Sequence, residues 1–324
     1  MANLRSVAAD ITNPEVIRVL SEMDPRGGSA PFTAAEKRLA YRASIVRSGP
    51  PEPVASVIGR VVESRHGGKI PIRIYNPSPE SPEHPPTLLY LHGGGFLSGD
   101  LDTHDPVCRT LANRVPMVVV AVQYRLAPEH PFPAGLEDCA DVLQWLSTEA
   151  GSVGGDPYRI YVAGDSAGGN LAASLAVLAR DEFGFPLKAQ VLIYPMLDAT
   201  MSFSTMVENA FIPPFTLVDC VYAWQQYLGR NSYRRHIYVS PVLGANLPGL
   251  PPALVITAGY DILAGEGQAY ADRLKSAGIP VEHEHYPDMV HGFFQWGGQV
   301  AAARSAMDRV VRYLQGVEFA GGSV

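Results

Sequence analysis

From residue 87 onward the chain alternates short apolar runs with longer segments of helical spacing. The runs 87–91, 117–124, 160–163, 189–194 and 253–257 are rich in β-branched, aliphatic and aromatic residues and are bounded by breakers or polar residues, and the more polar segment 281–286 reads as a last strand. Such runs suit strands, and the wholly apolar ones suit strands covered on both faces. Between them, segments 106–114, 136–149, 265–277 and 298–314, and the Ala- and Leu-rich stretch ending at Leu178, carry a helical pattern. The alternation predicts an α/β fold with a mostly parallel sheet and helices on both faces.

Two regions depart from this rhythm. Residues 14–23 and 33–46 read as helices separated by the breaker Asp24-Pro25-Arg26-Gly27-Gly28. A hairpin then follows, with strands 57–62 and 70–75 around Gly67-Gly68, and a proline-rich loop at 77–86. Residues 200–240 interrupt the later alternation with Phe203, Phe211, Ile212, Phe215, Trp224 and Tyr227 around Pro213-Pro214. The expected organisation is one α/β core, 51–199 and 241–324, under a helical cap built from 1–50 and 200–240.

Composition narrows the partners. The 324 residues carry 25 Lys and Arg against 32 Asp and Glu, a net charge of −7, and 47% are hydrophobic. This is a globular composition, and the acidic balance without a basic cluster argues against nucleic acid or an anionic membrane surface. A small neutral ligand fits better. Cys108, Cys139 and Cys220 are odd in number and widely spaced, so reduced, buried thiols are expected in preference to disulfides or a zinc site. The N-terminal stretch lacks a signal-like apolar core and no run reaches membrane-spanning length, so the expectation is a cytoplasmic protein without a stable membrane anchor.

The chemistry centres on Gly164-Asp165-Ser166-Ala167-Gly168, a G-x-S-x-G pentapeptide placed where a strand hands over to a helix. Small neighbours let the backbone bend sharply enough to expose the serine. A serine hydroxyl is a weak nucleophile, so it needs an imidazole to take its proton and a carboxylate to orient that imidazole. Asp261 follows the strand at 253–257 and His291 lies between the last strand and the last helix; the order Ser, Asp, His is that of α/β-hydrolases. Asp198, after the strand ending at Tyr194, is the alternative acid. His283 and His285 share one strand face and could in principle hold a metal, but no third ligand is suggested nearby. The turn Gly93-Gly94-Gly95 after the first parallel strand can aim backbone amides at a developing oxyanion, as can the amide of Ala167 at a helix start. His92 reads as a brace for that loop, and Asp165 as structural.

Taken together, His92 to Phe96, Tyr124-Arg125-Leu126-Ala127-Pro128-Glu129, the serine motif through Gly169, Asp261 and His291-Gly292-Phe293 closely resemble the bacterial hormone-sensitive-lipase-like (family IV) esterases. The resemblance runs from about residue 54 to the end. It implies the α/β-hydrolase fold with an eight-stranded sheet and helical cap, a triad of Ser166, Asp261 and His291, oxyanion amides from Gly94, Gly95 and Ala167, and frequent homodimers. The family usually continues after its acid with Asp-Glu-Gly, where this chain has Gly265-Glu266-Gly267. The expected activity is hydrolysis of short- to medium-chain carboxylic esters through an acyl-enzyme, with no cofactor or metal. An amidase or lactonase with the same triad is the alternative, as is a non-catalytic small-ligand receptor like the plant gibberellin receptors, which lack the histidine that this chain keeps at position 291.

Overall fold

The structure, a computed structural model, describes residues 11–23, 33–77 and 84–320. The breaker at 24–28 and most of the proline-rich loop lie outside the described residues. Eight strands form one sheet in the order β1-β2-β4-β3-β5-β6-β7-β8. They are β1 (Ser56–Glu63), β2 (Lys69–Asn76), β3 (Thr87–Leu91), β4 (Val118–Val122), β5 (Ile160–Asp165), β6 (Gln190–Ile193), β7 (Ala253–Tyr260) and β8 (Val281–Val290). The hairpin β1–β2 is antiparallel and joins β4 antiparallel, while all other pairings are parallel.

The strand sequences explain why helices cover both faces. Successive side chains point to opposite sides of a strand, and in β5 Ile160 and Val162 enter one apolar cluster while Tyr161 and Ala163 enter the other. The first cluster is closed by α4 (Ala134–Glu149), α5 (Ala167–Leu178) and α8 (Ala264–Ser276). The second is closed by α1 (Pro14–Ser21), α3 (Asp105–Arg114) and α9 (Ala301–Ala320), with Val16 and Val19 of α1 fully buried in it. Helix α5 lies wholly in the interior, every residue buried, which its run of Gly, Ala and Leu permits.

The strand β8 runs four residues beyond the expected end at 286. Pro287 and Asp288 read as loop formers, but β8 is an edge strand, where a proline lacking its N–H can still be accommodated. The remaining helices are α2 (Ala34–Ala43), the short α6 (Thr205–Glu208) and α7 (Leu217–Leu228). Both α2 and α7 start with reciprocal capping boxes, Thr33 with Glu36 and Thr216 with Asp219. The two helices are tied by an ion pair, Lys37 Nζ to Asp219 Oδ1 at 2.7 Å. Cys108, Cys139 and Cys220 are buried and free. Among the described residues, no helix is long and apolar enough to cross a membrane.

Candidate active site

Ser166 occupies the single residue between β5 and α5, with φ 57° and ψ −118°. A non-glycine residue held at such a backbone costs about 1–3 kcal/mol and persists only where its surroundings over-determine it. Here the Ser166 amide donates to the Ile193 carbonyl at 2.8 Å, and its carbonyl accepts from Met196 and Asn170, both at 3.1 Å. Helix α5 must also pass very close to β3: a Cβ at Gly168 would lie 2.0 Å from the Leu91 carbonyl oxygen. The second glycine of the pentapeptide is thus a contact requirement.

Asp261 and His291 meet because of strand register. A bulge in the β7–β8 ladder near Gly259 brings Tyr260 opposite Val290, so the next residue on each strand is Asp261 and His291. His291 Nδ1 lies 2.7 Å from Asp261 Oδ2, and His291 Nε2 lies 2.9 Å from Ser166 Oγ. Facing a carboxylate, Nδ1 carries the ring proton, which leaves Nε2 to accept from the serine hydroxyl. The other Asp261 oxygen accepts the Leu263 amide at 2.9 Å. Ser166, Asp261 and His291 are 5%, 1% and 8% exposed, so bulk water competes little with these bonds. The imidazole is also flanked by two rings, Tyr194 at 4.7 Å and Phe215 at 4.8 Å between centroids.

Asp198 lies elsewhere. Its carboxylate accepts the amides and hydroxyls of Thr200 and Ser202, closing its own loop. Burial pushes that carboxyl up, but these four bonds more than offset it and hold it below the usual range. His283 and His285 both contact the hydroxyl of Thr257, at 2.8 and 2.9 Å. Among the described residues, no cluster of three or more His, Cys, Asp or Glu side chains has metal-holding geometry.

The glycine turn after β3 divides its labour. Gly93 donates its amide to Asp165 Oδ1 at 3.0 Å, so that amide is committed to the protein. Gly94, at φ 123°, and Gly95, at φ 62°, turn the chain back, and neither amide has a partner among the described hydrogen bonds. The Ala167 amide opens α5, where the first turn has no carbonyl four residues earlier to receive it. His92 braces the turn. Its Nδ1 lies 2.9 Å from the Gly93 carbonyl, its ring stacks on Tyr124 at 4.2 Å, and the Tyr124 hydroxyl donates to the His92 carbonyl at 2.7 Å. Burial, with His104 adding to it, pushes the His92 imidazole down to about 4. At neutral pH it is an uncharged strut. Arg38 of α2 completes the bracing by donating to the carbonyls of Leu97 and Ala127 while pairing with Glu129.

Two cavities border this region. The larger, about 780 Å³, lies between α2, the β1–β2 turn and residues 123–130 and is lined by none of Ser166, Asp261 and His291. The smaller, about 240 Å³, is lined by Ser166, His291, Gly94 and Gly95, with Tyr41 of α2 and Phe215 and Ala223 from the 200–240 segment on its walls. Sequence reasoning missed Tyr194 and Phe215 against the imidazole and the bonding of Asp165. Position in the chain carries no signal for any of these, although the aromatic richness of 200–240 hinted at Phe215.

Comparison with known proteins identifies the fold and the class. A family profile described as alpha/beta hydrolase fold matches residues 88–295. Carboxylesterase NlhH of Mycobacterium tuberculosis (strain ATCC 25618 / H37Rv) is 42% identical over 292 residues, 88% of this chain and 91% of that protein. An ethyl acetate hydrolase of Pseudomonas putida is 36% identical over 255 residues, 78% of this chain and 80% of that protein. Among solved structures, a hyperthermophilic esterase from the archaeon Pyrobaculum calidifontis superimposes with a TM-score of 0.88 at 36% identity, covering 94% of this chain and 98% of that one. The chain belongs to the α/β-hydrolase superfamily, within its hormone-sensitive-lipase-like esterases. It is an enzyme of the carboxylic ester hydrolase class.

Proposed function

We propose that this enzyme hydrolyses short- to medium-chain carboxylic esters through an acyl-enzyme on Ser166. The carrying observation is the pair of contacts made by one imidazole, 2.9 Å to Ser166 Oγ and 2.7 Å to Asp261 Oδ2, beside a cavity of about 240 Å³. In this reading His291 takes the hydroxyl proton as Oγ bonds to the ester carbonyl carbon and the carbonyl electron pair moves onto oxygen. The amides of Gly94, Gly95 and Ala167 receive that oxyanion, and a donor of this kind is worth about 3 kcal/mol in the transition state. The tetrahedral intermediate collapses, His291 hands its proton to the departing alcohol, and Asp261 steadies the imidazolium throughout. Water, deprotonated by His291, then attacks the acyl-enzyme and releases the acid and free Ser166.

The cavity of about 240 Å³ supports the short- to medium-chain reading. At about 30 Å³ for each water-sized group, it holds on the order of eight such groups. We read α2 and the 200–240 segment as a cap over the core, a reading supported by the Lys37–Asp219 pair and by the walls that α2 and Phe215 contribute, whereas α1 packs into the core itself. The test is a panel of p-nitrophenyl esters from acetate to dodecanoate with wild type and Ser166→Ala. Turnover should peak at short to middle lengths and vanish in the variant. Near-normal turnover by Ser166→Ala would remove the proposal, and a preference for amides or lactones over every ester would redirect it.

A further inference from the structure

The residue before the nucleophile is the most heavily bonded carboxylate in the site, and the reaction steps above do not use it. Asp165 is 1% exposed, on the last position of β5. Three donors converge on it: the Tyr90 hydroxyl at 2.9 Å and the Gly93 amide at 3.0 Å on Oδ1, and the Gln295 side-chain amide at 3.0 Å on Oδ2. The ring of His104 adds Nε2 at 3.1 Å from Oδ1. Burial alone pushes the carboxyl up, but His104 and the bonds from His104, Tyr90 and Gln295 more than offset this and keep it below the usual carboxylate range. The buried group is therefore an anion with its lone pairs satisfied.

The glycine turn rests directly on this anion. A Cβ at Gly93 would lie 2.4 Å from Asp165 Oδ2 and 2.8 Å from the Asp165 carbonyl oxygen, so no larger residue can come as close. We propose that Asp165 is a positioning residue: by holding the Gly93 amide it fixes the turn from which the unpaired amides of Gly94 and Gly95 face the reacting carbonyl. Charge-assisted hydrogen bonds are roughly twice as strong as neutral ones. The anchor is thus stiffest at the one peptide that precedes both donors. Because the same residue is covalently joined to Ser166, nucleophile and oxyanion amides are referenced to a single point. This inference rests on the esterase reading above.

The experiment compares wild type with Asp165→Asn, which keeps shape and removes charge. Active sites are counted with an irreversible p-nitrophenyl phosphonate, and kcat and KM are measured for p-nitrophenyl butanoate. Affinity is also measured for a trifluoromethyl ketone, which Ser166 Oγ attacks to give a hemiketal oxyanion as the hydroxyl proton passes to His291. An oxyanion donor contributes about 10²–10³ in kcat. Mispositioned donors should therefore lower kcat per titrated site by about 10- to 100-fold, with KM within about threefold and ketone affinity falling in step with kcat/KM. A merely structural role would lower the titratable fraction and leave kcat per site unchanged. That outcome, or a change confined to KM, overturns the proposal.

Should Asp165→Asn not fold, Tyr90→Phe removes one of the three donors and keeps its ring. It should lower kcat per site by roughly 3- to 10-fold with KM unchanged, and an unaltered kcat would overturn the proposal equally. Ser166→Ala, run alongside, separates the two ideas. If it abolishes turnover while Asp165→Asn is unimpaired, the esterase reading stands and the positioning role falls.

Discussion

The ring of Phe215 lies 4.8 Å from the imidazole of His291, centroid to centroid, at an interplanar angle of 31°. The two residues come from different parts of the chain, Phe215 from the aromatic 200–240 insertion and His291 from the end of the last strand. The proposed acyl cavity and the proposed base therefore share a wall. Phe215→Ala should lower kcat/KM for p-nitrophenyl butanoate by about tenfold, because small displacements of a reacting group are costly. Phe215→Tyr should retain most activity. Equal rates for Phe215→Ala and wild type would show that the ring does not restrain His291.

The two candidate acids differ in surroundings and should differ in consequence. Asp261→Asn removes the charge that holds His291 in its working tautomer, and kcat should fall by about 10³–10⁴-fold. Asp198→Asn disturbs the loop closed by Thr200 and Ser202 and the charge beside Glu266 but no bond to His291, so kcat should stay within about threefold of wild type. Steady-state kinetics on both variants decides between them, and the reverse ranking would transfer the role to Asp198.

Glu266 gives a pH prediction. Fully buried in the first turn of α8, it accepts the Leu197 amide through Oε1 at 2.5 Å while Oε2 has no partner. Burial, followed by the nearby Asp198 charge, pushes its carboxyl well above the ordinary value, the Leu197 amide pulling the other way. The folded state then holds a proton that the unfolded chain releases above about pH 4.5. Stability from this group is full below that pH and is lost as pH rises towards the folded value, by at most about 1.4 kcal/mol per unit. Glu266→Gln keeps an acceptor for Leu197 without a titrating proton. Urea unfolding from pH 5 to 8 should show a shallower decline in the variant, and parallel curves would contradict the prediction.

Gly168→Ala tests the crossing of α5 and β3. The added methyl meets the Leu91 carbonyl at 2.0 Å, a contact with backbone on both sides. Overpacking typically costs about 1–3 kcal/mol, and a clash with backbone lies at the upper end. A clear fall in the urea midpoint is expected, and an unchanged midpoint would mean that the helix can shift outward freely.

Much of the architecture was legible in the chain because the inner parallel strands β3 to β7 are covered on both faces and so are written as nearly uninterrupted apolar runs. Residues 87–91 and 160–163 are the plainest cases. The end of β8 was not legible, since Pro287 and Asp288 carry loop chemistry and only their place on the sheet edge makes them strand. For the site, residue type and strand-end position singled out Ser166, Asp261 and His291, and the structure brings the three within hydrogen-bond reach. What the pattern could not carry was the partner list of Asp165. Its donors stand 75, 72 and 130 residues away, distances at which no local rule operates.

Helix α5 has no wet side. A segment sealed on every face cannot fray or exchange its amide protons without the whole molecule opening. The shelf beneath Ser166 therefore shares the lifetime of the entire fold, and thermal loss of activity should coincide with global melting, with no earlier stage in which the molecule is intact in shape but slack at its centre.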